Sequence, residues 1–248
     1  VKVRRFPSFA PFETIYFSFP LYYALKHIDA DLVHVHDYRS LPMLEAAFAK
    51  RFIKTKLIIS THKGFSKLGV IPYFFYNPIL NKWVFERADK IHLVSPAELS
   101  EIRGLNRFRH KIVYIPNGVD FEMLDKYRKN VTKKTEEMNL LYVGRIEKKK
   151  GINYLVEIMR KLSDLPIFLN IVGEGDYLPA LKYSVWKYGL QSRIIIHHRV
   201  SDATLYKIYA TSHIFLLLSY YEAHSLSLTE AMAFGLVPIA SNVGGNPY

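Results

Sequence analysis

The sequence predicts an α/β protein of two Rossmann-like domains whose parallel sheets form two facing crevice walls. Three observations carry that prediction. Short apolar runs rich in β-branched residues alternate with amphipathic helical stretches along most of the chain. Near-continuous apolar strands of this kind point to parallel sheets covered on both faces. The alternation breaks at "KNVTKKTEEM", residues 129–138, a charge-dense stretch without apolar period that reads as a linker. The chain has 248 residues, half of them hydrophobic, enough to bury two medium cores. The expected domains are residues 1–128 and 139–248.

In the first domain "DLVHVHD" (31–37) reads as a buried strand and "LPMLEAAFAKRF" as a helix. "KLIISTH" (56–62) is a second strand. A long aromatic segment then runs to Arg87, irregular at first and then helical. "KIHLVS" (90–95) is a strand, "PAELSEIRG" a helix with proline in its first turn, and "KIVYIPNGVD" (111–120) a strand and turn. In the second domain the strands are "NLLYVGR", "IFLNIVGEGD", "RIIIHH", "HIFLLLS" and "LVPIAS". The helices between them are "INYLVEIMRKL", "YLPALKYSVWKYG", "DATLYKIYATS" and "SLTEAMAFG".

Composition narrows the class. The formal net charge is +12. Residues 1–120 carry 18 Lys and Arg against 10 Asp and Glu, and residues 121–248 carry 16 against 12. This balance suits anionic partners and is equally that of a soluble basic surface. Nucleic acid is not expected as a partner, because no basic helix with interleaved contacts is present. There is no cysteine, which excludes disulfides and thiolate metal sites and fits a cytoplasmic, reducing compartment. No apolar run reaches the roughly 18–20 residues that span a bilayer, and "VKVRRFPSF" is not a signal peptide. The first residue is Val, so the chain reads as a fragment.

Parallel sheets bind ligands beyond the carboxyl ends of their strands. "VGRIEKKKG" places Arg145 and Lys150 across such a turn, where they and the next helix N-terminus suit a diphosphate. A solvated basic turn would look the same. "VGEGD" gives a glycine turn at Gly173 and Gly175, which admits a nucleotide or is only tight. His62 ends a strand, where it donates to a ligand or serves the fold. His34 and His36 are read as facing apart, so they are not expected to share a metal. "DAD" (29–31) lies ahead of its strand and is set aside as a metal motif.

In "SYYEAHSLSLTEAMAFGLVPIASNVGG" (219–245), Glu222 precedes an apolar helix and Glu230 lies in its second turn. A helix starting near Ser225 offers free N–H groups and a dipole to an anion. Carboxylates repel phosphate, so the two acids suit hydroxyl groups on either side of a diphosphate. That describes a sugar nucleotide. A loop charge and a helix-surface charge are the alternative.

These residues resemble the E-x7-E region of the family-4 retaining glycosyltransferases, which have the GT-B fold. "DLVHVHD", "STHKG", "ADKIHLVS", "IPNGVD", "LYVGRIEKKKG", "IVGEGD" and "RVSDATLYKIYATSHIFLLLS" agree in order, so the resemblance covers most of residues 31–247. It implies transfer of a sugar from a nucleotide diphosphate to a glycan or lipid-linked acceptor, with retention at the anomeric carbon and without a metal. It further implies that Arg145 and Lys150 hold the diphosphate, Glu230 the ribose, and Glu222 and His62 the donor sugar. Gly173 and Gly175 would lie near the nucleoside and Arg199 and Val200 near the base. His224, Ser225 and Leu226 would belong to the donor-binding helix end. The family often reads E-G-F-G where this chain has Glu222-Ala223-His224-Ser225. The resemblance also implies a chain incomplete at both ends, lacking a first strand before Val1 and further helices after Tyr248. A sugar-nucleotide epimerase of the same fold, or a non-catalytic protein that keeps the pocket, would carry the same residues. Residues 65–85, "FSKLGVIPYFFYNPILNKWVF", suit peripheral contact with the inner membrane face or a buried loop between helices.

Overall fold

A computed structural model describes residues 3–12, 15–36, 40–62, 78–129 and 137–248. Asp37, Lys63, Gly64 and Lys67, residues 65–77 of the aromatic segment, and residues 130–136 of the expected linker lie outside the described residues. The chain divides into two compact units, 1–116 with Tyr248, and 117–247.

The first unit opens with an antiparallel hairpin of β1 (Phe9–Phe12) and β2 (Ile15–Phe17). Helix α1 (Phe19–Lys26) follows. Its N-cap Ser18 accepts the Leu21 N–H at 3.3 Å, which satisfies one of the donors a helix start leaves open. A parallel sheet then forms from β3 (Leu32–His36), β4 (Lys56–Ser60), β5 (Lys90–Leu93) and β6 (Ile112–Tyr114), in that order. Between its strands lie α2 (Leu41–Ala49), α3 (Pro78–Arg87), α4 (Ala97–Glu101) and a 3-10 helix (Leu105–Lys111). Met43, Ala46, Leu57, Ile59, Phe85, Ile91, Leu93 and Leu105 form one buried cluster that joins helices to sheet.

His34 and His36 do not face apart as expected. Residues two apart in a strand share a face, and the two rings lie 4.2 Å apart.

The second unit holds α5 (Phe121–Lys129), β7 (Met138–Val143), α6 (Ile152–Lys161), β8 (Ile167–Val172), α7 (Leu178–Lys187), β9 (Ile194–His197), α8 (Asp202–Thr211), β10 (Ile214–Leu217), α9 (Leu226–Ala233) and β11 (Val237–Ala240). Every strand pair in this sheet is parallel. Alternate residues of β7 feed two cores. Leu140 and Tyr142 join Leu155, Met159 and Leu181 under α6 and α7. Leu141 joins Tyr209, Phe234 and Leu124 under α8, α9 and α5. The sheet is therefore covered on both faces, as its apolar strands require.

The division falls at 116/117, whereas the sequence suggested 128/129. Residues 121–129 are polar on most sides, but Leu124 is fully buried and Tyr127 lies against Tyr206. Those contacts dock α5 on α8 within the second unit.

The strand order of the second sheet is β11-β10-β7-β8-β9. Its direction of winding reverses at β7, so the loops after β7 and β10 leave the sheet on opposite sides and open a crevice between them.

Candidate donor-binding site

The two loops at that reversal carry the residues singled out above. The loop after β7 runs through Arg145 to Lys150 and Gly151, where α6 begins. The loop after β10 runs through Ser219 and Glu222 to Ser225, the N-cap of α9. The Tyr220 N–H donates to the Lys149 carbonyl at 3.0 Å and fastens one loop to the other.

Lys150 and Glu222 meet across the crevice. The ammonium donates to Glu222 Oε1 at 2.6 Å. The same oxygen accepts the Ser219 hydroxyl at 2.7 Å. Glu222 is 9% exposed, so this carboxylate is desolvated and needs those donors. Its second oxygen has no hydrogen-bond partner among the described residues and is not enclosed. Among the described residues Lys150 uses one of its three ammonium donors, on Glu222.

The backbone of Glu222 is held from the far side. Gly245 donates its amide to the Glu222 carbonyl at 2.8 Å. Gly244 has φ +52°, and a Cβ there would lie 1.8 Å from that carbonyl oxygen. Only glycine fits this position. The "NVGG" turn after β11 thus clamps the acid's loop.

Glu230 sits on the fifth residue of α9 and is similarly held through one oxygen. The Tyr209 hydroxyl donates to Oε2 at 2.9 Å, and Oε1 has no partner among the described residues. Burial raises the Glu230 carboxyl above the usual range, and the Tyr209 hydrogen bond works against that shift. Burial and the adjacent carboxylate raise the Tyr209 phenol in turn. The Ser225 hydroxyl accepts the Leu228 N–H at 3.3 Å, which leaves other first-turn amides of α9 unbonded within the helix. Leu226 is 46% exposed at this end. The His224 ring is half-buried, burial lowers its pKa, and its Nδ1 is enclosed without a partner among the described residues.

Arg145 and Lys150 are not joined to a common partner. Arg145 pairs with Glu147 at 2.7 Å and is mostly exposed, while its carbonyl accepts the buried Tyr142 hydroxyl at 2.8 Å. Gly173 and Gly175 press on the β7 loop: a Cβ would lie 1.9 Å from the Gly144 carbonyl and 2.3 Å from the Ile146 carbonyl. Arg199 adopts φ +54°, unusual for a residue with a side chain, and donates to Glu174 Oε1 at 2.8 Å. Val200 turns inward and lies against the Tyr209 cluster, so its side chain serves the core.

His62 belongs to the first unit. It has φ +36°, and its Nε2 lies 2.9 Å from His36 Nδ1 with the rings stacked. Beside it the Ser60 hydroxyl bridges His34 and His92 at 2.6 Å each, and His92 reaches the Ile115 carbonyl at 2.7 Å. Burial, then the neighbouring imidazoles, lowers the pKa of His34. Among the described residues no group of three or more His, Asp or Glu is placed to hold a metal ion. Also among them, no helix is long and apolar enough to cross a membrane.

Tyr209, Ser219 and Gly244 position the acids without belonging to the acid motif. The sequence marks Ser219 only as one of the polar strand ends of a crevice wall. The roles of Tyr209 and Gly244 escaped the sequence reading, and Tyr209 lies in an apolar helix where it looks like a core residue.

Comparison with known proteins identifies the family. The model of the family described as Glycosyl transferases group 1 matches residues 124–248. That of Glycosyltransferase Family 4 matches residues 1–123. A glycogen synthase of Caldicellulosiruptor saccharolyticus is 27% identical over 93% of this chain and 61% of its own length. One subunit of the phosphatidylinositol N-acetylglucosaminyltransferase of Arabidopsis thaliana is 27% identical over 100% of this chain and 55% of its own. The chain thus spans somewhat over half the length of these relatives. Among solved structures, sucrose-phosphate synthase from Thermosynechococcus elongatus superposes with a TM-score of 0.65 at 26% identity, over 86% of this chain and 56% of that one. Anabaena HepE in complex with UDP superposes with a TM-score of 0.70 at 17% identity, over 91% and 63%. With two parallel α/β units and matches along its whole length, the chain belongs to the family-4 glycosyltransferases of the GT-B fold class.

Proposed function

We propose that this chain is the greater part of a retaining glycosyltransferase that moves a sugar from a nucleotide diphosphate to a glycan or lipid-linked acceptor. The observation that carries this reading is the Lys150–Glu222 pair at the sheet's reversal point, beside the N-terminus of α9. A cation, a helix end and two acids with one open oxygen each suit a diphosphate flanked by two hydroxyl-bearing rings. The solved complex of HepE with UDP supports a nucleotide of this class.

The roles follow from charge. Lys150, Arg145 and the first amides of α9 neutralise the diphosphate. In transfer the bond from the anomeric carbon to the phosphate oxygen breaks, and negative charge gathers on the departing diphosphate. Preorganised donors are most effective at such a developing charge. The acceptor hydroxyl bonds to the anomeric carbon, and its proton leaves toward the departing phosphate. Glu222 fixes the donor ring through its open oxygen, and Glu230 holds the ribose. In this reading the cations and helix end do the work of a metal.

The test is a transfer assay on the full-length enzyme beside titration of nucleoside diphosphates, each with and without EDTA. Arg145→Ala should weaken diphosphate binding far more than nucleoside binding. Equal losses for both, or activity abolished by EDTA, overturn the metal-free diphosphate site. Binding without transfer favours a non-catalytic protein, and conversion of donor alone to an isomeric sugar nucleotide favours an epimerase.

A further inference from the structure

The first unit contains a cavity that the donor site does not use. It lies between α3 and the 3-10 helix, has a volume of about 300 Å³, and is lined by Lys82, Phe85, Arg103, Gly104, Arg107 and Phe108. The helices on either side precede β5 and β6, so their last turns approach the amino ends of those strands. The crevice chemistry of a parallel sheet belongs at the other end.

The lining has three cations and no acid. Lys82 shares its charge with Glu86 at 3.5 Å, both exposed. Arg103 and Arg107 form no side-chain hydrogen bond or ion pair among the described residues. Their neighbours behave differently. Arg87 covers Trp83 at 3.7 Å, Arg109 bonds Asn106, and Lys111 donates to the Phe85, Glu86 and Ala88 carbonyls that end α3. Two guanidiniums are thus left open at one hollow, while the other cations around it are engaged by their own chain. Gly104 adopts φ +85°, and a Cβ there would meet nothing within 4 Å, so open space adjoins this part of the lining. Phe85 and Phe108 are buried with rings 5.8 Å apart and give the hollow an apolar floor.

From this lining we infer a binding site for a phosphate ester. Guanidinium groups match the oxygens of phosphate in pairs, and Lys82 adds a point charge. A carboxylate would engage one guanidinium, whereas a phosphate has oxygens enough for all three cations. The apolar floor accepts the carbon part of the ester. The volume lies at the lower end for a small-molecule site, which suits one phosphorylated group and excludes a whole nucleotide sugar. Both a soluble phosphate ester and a phospholipid headgroup present this chemistry.

The experiment uses the full chain with two probes. Glycerol 3-phosphate is titrated by calorimetry. Vesicles of phosphatidylcholine, with and without phosphatidic acid, are tested by flotation at low salt. Each is repeated on R103Q/R107Q and on K82Q, which alter exposed side chains, with UDP titrated in parallel to read the second unit separately. The double variant should lose about tenfold in affinity per guanidinium, and K82Q less, with the UDP titration unchanged. Binding of glycerol 3-phosphate assigns a free ester, and flotation only with phosphatidic acid assigns a headgroup. Binding of neither probe, or equal binding by wild type and both variants, overturns the site.

Discussion

Lys150 Nζ lies 2.6 Å from Glu222 Oε1, so the cation proposed for the diphosphate and the acid proposed for the sugar position each other. Both side chains are largely buried, at 15% and 11% exposure. Lys150→Gln therefore does two things. It removes a charge from the diphosphate and leaves a desolvated carboxylate without its counter-ion. We expect nucleoside diphosphate affinity to fall about tenfold or more and stability to fall by about 1–3 kcal/mol. Calorimetric titration and a thermal melt read the two effects, and an unchanged melt would show the pair to be inconsequential to the fold.

Glu222→Gln should separate binding from transfer. Glutamine keeps an oxygen for Lys150 and Ser219, so nucleoside diphosphate affinity should change little. Transfer should drop by roughly 10²–10³, the scale of losing one preorganised polar contact. A normal transfer rate would make Glu222 only a loop charge.

Gly244→Ala places a methyl group on the Glu222 carbonyl at a backbone angle that disfavours side chains. The loop must shift, at a cost of roughly 2–4 kcal/mol. Gly189→Ala is the control: it too has positive φ, but open space where Gly244 meets a carbonyl. Gly189→Ala should therefore cost less stability and spare transfer. Equal losses of transfer in both variants would argue against the clamp.

Tyr209→Phe removes one hydrogen bond from Glu230. The ring is fully buried and stacked on Phe234 at 5.2 Å, so its apolar contacts persist. We expect a loss of about 1 kcal/mol in stability and a roughly threefold to tenfold weaker nucleoside diphosphate. Titration of the nucleoside alone should show the same factor if Glu230 holds the ribose as proposed.

His34 is lowered below the ordinary histidine value of 6.5 by burial and by the imidazoles around it. Between its folded value and 6.5 the unfolded chain holds a proton that the folded chain does not. Its contribution to stability is full above pH 6.5 and is lost as pH falls through the folded value. The raised carboxyls of Glu45 and Glu230 act in the opposite sense. The measurement is therefore a difference. Between about pH 7.5 and 5.5 the melting temperature of His34→Gln should fall less than that of the parent. Parallel curves would remove His34 from the pH response.

Strand identity was legible because a buried parallel strand has to be apolar along its length, as "IFLNIV" and "HIFLLL" are. The start of α9 was legible because Ser225 is a capping residue ahead of an apolar period. The place of α5 was not, since the stretch that reads as a linker begins only at its last residue and its one fully buried residue, Leu124, docks on elements far along the chain. The two acids stood out by spacing and by family resemblance. Ser219 was legible only as a polar strand end, and Tyr209 and Gly244 are ordinary residues until the fold brings them to the acids. His34 and His36 were misread where the two-residue period of a strand already placed them together.

The Gly245 amide that holds the Glu222 carbonyl has a consequence in time. A chain leaves the ribosome from its amino end, and domains fold as they emerge. By residue 236 the Rossmann core of the second unit, Lys150, Glu222, Glu230 and Tyr209 are all available. The acid's loop then rests on Lys149, Lys150 and Ser219 alone. It gains the Gly245 hydrogen bond only after β11 has paired with β10 and the turn at 241–245 has closed. The nascent second unit can therefore acquire a compact core before the loop that carries Glu222 is clamped from its far side.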